Sequence, residues 1–114
     1  MADRLMARRP VSALRLVEYV KKLVAGARGN VVSISLKRAK RELGLSSRAE
    51  AAALKAALDA LASLGLLEAV PSRRKPRYLL KRGSLLWTML EAGREEQAAE
   101  LAAAAVRRRR LRRL

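Results

Sequence analysis

The sequence predicts a mainly α-helical protein with a small β element, in the order α-β-α-α-β-β followed by a C-terminal helix. Three observations lead to this prediction. Apolar residues recur at three- and four-residue steps in several segments, as they do along the buried face of an amphipathic helix. Capping residues and glycines mark where those segments begin and end. Two short apolar runs, separated by a basic stretch that prolines bound, are typical of a β-hairpin.

The first predicted helix begins at the N-cap Ser12 and ends near Ala25. Its apolar positions lie on one face, which we expect to be buried: Leu16, Val17, Val20, Leu23 and Val24. Gly26 and Gly29 follow and favour a helix end. The β-branched run "VVSIS" then predicts a short strand at about Val31 to Ser33.

Two helices joined by a tight turn come next. Ser35 is placed to cap "LKRAKREL", which buries Leu36, Ala39 and Leu43, and Gly44 lies one residue past its end. Ser47 and Glu50 form a capping box that starts the following helix. That helix runs to about Leu64, and its inward face comprises Leu54, Ala57, Leu58, Leu61 and Leu64.

The hairpin and a C-terminal helix complete the predicted domain. "LLEAV" and "RYLLK" are the strands, and Pro71 and Pro76 lie at strand ends, where no ladder N–H is lost. Ser84 is placed to cap a C-terminal helix, and the sequence leaves open whether this helix continues through Gly93, at a cost of about 1 kcal/mol, or ends there. The chain thus divides into a basic N-terminal stretch (1–11), a core domain (12–82), a C-terminal helix (83–106) and an arginine-rich tail (107–114).

The amino-acid composition favours a protein that binds polyanions and disfavours several classes of enzyme and metalloprotein. The 26 Lys and Arg residues against 10 Asp and Glu give a net charge of +16, which attracts polyanions such as nucleic acid. The chain has no Cys and no His, so thiolate metal sites, cysteine nucleophiles and the usual general base are absent. We expect a non-enzymatic protein without a cofactor. With no apolar run near the roughly 20 residues of a membrane span and no signal-peptide core, we expect a cytoplasmic, nucleoid-associated location.

The order of elements resembles that of winged helix-turn-helix DNA-binding domains. The resemblance covers about Ser12 to Arg82, with "LGLSSRAE" as the turn and "LLEAVPSRRKPRYLL" as the wing. It implies that the helix after the turn enters the major groove and that the hairpin tip contacts adjacent backbone or minor groove. Small archaeal winged-helix proteins that bind DNA are similar. One Asn and one Gln beside abundant charge are typical of a thermophilic source, although a biased genome composition would have the same effect.

Basic side chains in four segments are the candidate phosphate contacts, which orient a protein on nucleic acid without reading its sequence. These segments are the N-terminus, the helix before the turn, the hairpin tip and the tail. The candidates are Arg8, Arg9, Lys37, Arg38, Lys40, Arg41, Arg73, Arg74, Lys75, Arg77, Arg107, Arg108, Arg109 and Arg110. A solvated charged loop is the alternative for the tip, but its charges all have one sign, whereas a solubilising surface mixes both.

The helix after the turn offers little for reading bases. Its outward N-terminal positions are Ser47, Arg48, Ala51, Ala52 and Lys55. Only Arg48 and Lys55 have the paired donors that base-edge recognition favours, so we expect weak sequence specificity.

Two features lie beyond the hairpin. Six arginines between Arg107 and Arg113 predict a polyanion-binding arm that is disordered until bound. The apolar group Leu86, Trp87, Met89 and Leu90 either packs in the core or forms the interface of a homodimer.

The sequence therefore favours a protein that binds double-stranded DNA with low specificity, of a chromatin or transcription-associated kind. A sequence-specific dimeric repressor and an RNA- or ribosome-associated winged-helix protein are the alternatives. A membrane or acidic-protein binder acting through the tail is disfavoured, because the tail has few large apolar residues.

Overall fold

The protein is mostly helical, with one small antiparallel sheet. The computed structural model of the chain describes residues 13–72 and 74–112. In that part, the elements are α1 (Ala13–Ala25), β1 (Val31–Ser35), α2 (Leu36–Glu42), α3 (Arg48–Ser63), β2 (Glu68–Val70), β3 (Arg77–Lys81), α4 (Leu85–Glu91) and α5 (Glu95–Arg112). This layout agrees with the predicted fold class at that level and is compatible with a helix-plus-wing arrangement.

Helix α1 and strand β1 follow the predicted pattern closely. The buried face of α1 consists of Leu16, Val17, Val20 and Val24, whereas Leu23 is only partly buried. Strand β1 is longer than predicted and reaches Ser35, because Ser35 both pairs with β3 and caps α2. The predicted cap Ser12 lies outside the described residues.

The predicted helix ends around the turn between α2 and α3 are confirmed. The Ser35 hydroxyl oxygen accepts a hydrogen bond from the Arg38 N–H at 3.3 Å. Gly44 has a φ of +69°, a left-handed conformation that glycine adopts without steric cost. The capping box is complete: the Glu50 N–H donates to the Ser47 hydroxyl at 3.1 Å, and the Ser47 N–H donates to the Glu50 carboxylate at 3.2 Å. These caps satisfy backbone N–H groups that would otherwise lack a partner at the start of each helix.

Helix α3 packs on the core through one face that includes Leu54, Leu58 and Leu61. Leu64 was predicted to belong to this face, but it is 39% exposed. It is the C-cap residue, and Gly65, with a φ of +77°, turns the chain away towards β2. The prediction was therefore wrong at the last position because helical periodicity stops at the cap.

Strand β3 is the central strand of the sheet, in the order β1-β3-β2 with both pairings antiparallel. Pro71 and Pro76 lie outside the strands, as predicted. The register places Ser35 opposite Arg77, and the Leu36 N–H donates to the Pro76 carbonyl at 3.1 Å. The start of α2 therefore lies against the base of the hairpin tip.

The C-terminal segment forms two helices, which decides the question that the sequence left open at Gly93. Gly93 has a φ of +75°, its N–H donates to the Leu90 carbonyl at 3.2 Å, and the Arg94 N–H donates to the Met89 carbonyl at 2.9 Å. This left-handed glycine motif ends α4 and satisfies its last carbonyls. The boundary predicted at residue 106 is also absent, since α5 continues to Arg112. Neither α5 nor any other helix within the described ranges is long and apolar enough to cross a membrane.

The apolar group of α4 belongs to the core. Leu86, Trp87 and Leu90 are buried within the single chain, and Met89 packs partly buried against them. This corrects the expectation that these side chains present a dimer interface, because their apolar surface is already covered by the protein itself. Arg82 lies over the Trp87 ring, with its guanidinium carbon 5.2 Å from the ring centroid. That geometry is typical of a cation–π contact.

We expect Trp87→Ala to destabilise the protein by about 3–5 kcal/mol, because it removes a large aromatic side chain that is 1% exposed. The neighbouring Leu85 is 57% exposed, and Leu85→Ala is the matched control, with an expected cost within about 0.5 kcal/mol. Urea unfolding monitored by circular dichroism measures both free energies. Equal costs for the two variants would contradict the core position of Trp87.

Candidate nucleic-acid interface

Exposed basic side chains are brought together where the hairpin tip meets the start of α2. The contact between Leu36 and Pro76 joins the two elements, and the Lys75 N–H donates to the Ser72 hydroxyl at 3.0 Å within the tip. Five exposed cations belong to these segments, and we call them the wing cluster: Lys37, Arg38, Arg74, Lys75 and Arg77.

The wing cluster forms no ion pair in the described residues, although Arg38 lines a surface pocket together with Glu18 and Glu42. In residues 13–72 and 74–112, carboxylates pair with Lys21, Lys55, Lys81 and Arg109. None of the wing cluster side chains lies within 4.0 Å of a carboxylate in those residues. Like charges so placed repel one another, and a bound polyanion would relieve that repulsion.

More candidate cations lie along α2 and at the start of α3. Arg41 is exposed near the end of α2, Arg48 is exposed at the first residue of α3, and Lys40 is partly buried. The Arg15 guanidinium donates to the Leu43 carbonyl at 2.9 Å, which ties α1 to the turn. This hydrogen bond anchors the turn between Arg41 and Arg48 to α1.

Lys55 is less available than the sequence suggested. Its ammonium group donates to the Asp59 carboxylate at 2.7 Å, one helical turn further along α3. Ser47 is also occupied, because its hydroxyl oxygen caps α3. Of the two α3 residues predicted to read bases, only Arg48 lies beyond 4.0 Å from every described carboxylate.

Asp59 connects three elements of the structure. One carboxylate oxygen accepts a hydrogen bond from the buried Tyr78 hydroxyl of β3 at 2.5 Å. The other accepts from Lys55 of α3 and lies 3.9 Å from the Arg109 guanidinium of α5. Sequence reasoning missed this arrangement. The four-residue spacing of Lys55 and Asp59 was a readable signal, but nothing in the sequence indicates that Tyr78 and Arg109 meet the same carboxylate.

These contacts keep Asp59 ionised. Partial burial opposes ionisation, but hydrogen bonds from Lys55 and Tyr78, together with the charges of Lys55 and Arg109, outweigh it and lower the pKa of Asp59. Conversely, burial and the bond to Asp59 raise the pKa of Tyr78, so the hydroxyl stays protonated and remains a donor. The Asp59 carboxylate is therefore a permanent negative charge inside a basic protein.

The arginine-rich tail is helical rather than a disordered arm. Residues Arg107 to Arg112 continue α5, which corrects the prediction for that part of the tail. Arg107 and Arg108 are exposed, and Arg109 is partly buried against Asp59. The candidates Arg8, Arg9 and Arg73 lie outside the described residues, as does the side chain of Arg110.

Comparison with known protein families, with curated proteins and with solved structures found no match to this chain.

We expect the stabilising effect of the Asp59 charge to disappear in acid. A carboxyl whose pKa is lower in the folded than in the unfolded chain stabilises the fold above its unfolded pKa, about 3.9, and loses this effect as the pH falls through the folded pKa. The free energy of unfolding of the wild type should therefore decline more steeply below about pH 4 than that of Asp59→Asn.

Urea unfolding at a series of pH values measures this difference. Glu68→Gln is the control, because Glu68 carries the same charge but is 58% exposed in its pair with Lys81. Parallel acid profiles for the wild type and Asp59→Asn would show that the folded structure does not favour the Asp59 carboxylate.

Proposed function

We propose that this chain binds double-stranded nucleic acid, DNA foremost, as a winged-helix protein of low sequence specificity. In this proposal α3 lies along a groove while the β2–β3 hairpin and the start of α2 contact the phosphate backbone. Most of the affinity comes from phosphate neutralisation, which suits a chromatin or transcription-associated role.

The wing cluster is the observation that carries the proposal. Its five cations come from two segments far apart in sequence, and the Leu36–Pro76 hydrogen bond brings those segments into contact. Like charges without an ion-pair partner cost folding free energy, and a polyanionic partner would offset that cost. A duplex presents many phosphates close together, which suits cations carried by a hairpin and by the first turn of the helix that contacts it.

Low specificity is supported by the exposed surface of α3. Base reading favours side chains with paired donors, and Arg48 is the α3 candidate without a described carboxylate partner. Ala52 is exposed and Ala51 partly exposed beside it, and these methyl groups offer contact without hydrogen bonds. A sequence-specific repressor would need more donors along this helix.

We expect the double variant Arg74→Ala/Lys75→Ala to weaken duplex binding. If both side chains contact phosphates, the slope of log K against log salt should become shallower by about 2 units. The control is Arg28→Ala/Arg94→Ala, which removes the same charge from two exposed positions outside the wing cluster. Fluorescence anisotropy with random duplex DNA, duplex RNA and single strands at several salt concentrations measures the slopes.

An equal change in slope for the two double variants would contradict a specific role for the hairpin. Tight binding of single strands with weak binding of duplexes would contradict the proposed partner, and preference for duplex RNA would replace DNA with RNA.

Arg48→Ala should cost about the same affinity on every duplex. A good bidentate base contact contributes about 1–3 kcal/mol of discrimination, so a base-reading Arg48 would lose that amount on its preferred site alone. Selection of bound sequences from a random duplex pool, followed by titration of the variant on selected and unselected duplexes, tests this. A long, sharp consensus would favour the repressor alternative.

A further inference from the structure

Asp59 is an acid of α3 that contacts cations from two helices. Its carboxylate is held in place from inside the protein, since the Tyr78 hydroxyl that donates to it belongs to a side chain that is 2% exposed. Tyr78 is in turn fixed by the pairing of β3 with Ile34 of β1 and Ala69 of β2. The negative charge therefore has a fixed position relative to the sheet.

The outer oxygen of this carboxylate faces two cations from different helices. Lys55 of α3 is 2.7 Å away and Arg109 of α5 is 3.9 Å away. The side chains of these cations are 52% and 34% exposed. Among the residues whose side chains the structure describes, Asp59 is the acid paired with an arginine of the tail. Because the tail arginines repel one another, an opposite charge at this place holds the end of α5 against α3.

The two cation contacts are weak enough to exchange. Ion pairs at exposed positions contribute little, because water and salt screen them. The hydrogen bond from the Tyr78 hydroxyl is more shielded, so it can hold the carboxylate in place when the cations are not bound. A phosphate group carries the same kind of charge as the carboxylate and competes for the same donors.

We propose that Asp59 is an internal phosphate substitute that holds Lys55 and the arginine end of α5 in the free protein and releases them to the phosphates of a bound nucleic acid. The second half of this statement rests on the proposed function, and the first half does not. Asp59 is a positioning residue, because it acts through the cations that it holds.

Hydrogen exchange of the free protein tests the first half. In Asp59→Asn, which keeps the shape of the side chain but removes its charge, the amides of Arg107 to Arg109 should exchange about two- to fivefold faster than in the wild type. Glu91→Gln removes an exposed carboxylate of α4 that has no ion-pair partner in the described residues, and it should leave these amides unchanged. Amides of the buried Leu54 and Leu58 report global stability in every variant.

Tyr78→Phe distinguishes the effect of the Asp59 charge from the effect of the hydrogen bond that the Tyr78 hydroxyl donates to it. This variant keeps the carboxylate, so exchange at Arg107 to Arg109 should stay near the wild-type rate even if core amides exchange faster. Unchanged exchange of these tail amides in Asp59→Asn, or an increase that matches the core amides, would overturn the proposal.

Duplex affinity tests the second half. Asp59→Asn and Glu91→Gln each raise the net charge from +16 by one. Asp59→Asn should nevertheless bind a random duplex about two- to fivefold more tightly than Glu91→Gln, because Lys55 and Arg109 no longer leave a carboxylate. In an Arg109→Ala background this advantage should shrink, as a double-mutant cycle measures.

Equal affinity of the two variants would overturn the release step while the exchange result stands. If the wild type binds no duplex, the proposed function fails, and the exchange measurement alone decides whether Asp59 holds the tail.

Discussion

The pairing of β3 with both of its neighbours is the constraint on which the rest of the structure depends. Its side chains alternate in direction, so that Tyr78 and Leu80 are buried while Arg77 and Lys81 are exposed. The register with β1 brings the start of α2 to the hairpin, and the register with β2 forms the hairpin itself. A shift of one residue would expose Tyr78 and bury Arg77, so burial of the apolar face fixes the position of the basic tip.

The positive charge of the protein lies at its surface and not in its helical core. No charged side chain is buried in the described residues, and the interior is formed by Leu, Val, Ile, Ala, Tyr and Trp. Repulsion among the cations is therefore screened by water at the surface. The four described ion pairs involve Lys21, Lys55, Lys81 and Arg109, so the protein pairs some cations with carboxylates and leaves those of the wing cluster unpaired.

Asp59 links the two proposals. In the first proposal the wing cluster contacts phosphates, and in the second Asp59 holds two further cations until a phosphate competes for them. Because the carboxylate is anchored to the central strand through Tyr78, the end of α5 and the hairpin share one attachment point in the sheet.

Local signals in the sequence determined most of the elements and the basic tip. The capping box at Ser47 and Glu50, the glycine at Gly44 and the prolines beside the strands act within a few residues, so they can be read without a structure. The sequence left the break at Gly93 open and wrongly predicted a disordered tail, because a glycine in a helical pattern and a run of arginines are each compatible with either outcome. Tertiary structure alone decided that Trp87 lies in the core, that α2 meets the hairpin, and that Tyr78, Lys55 and Arg109 surround Asp59. These contacts join residues distant in the chain, and they depend on strand register and helix packing, which no short stretch of sequence encodes.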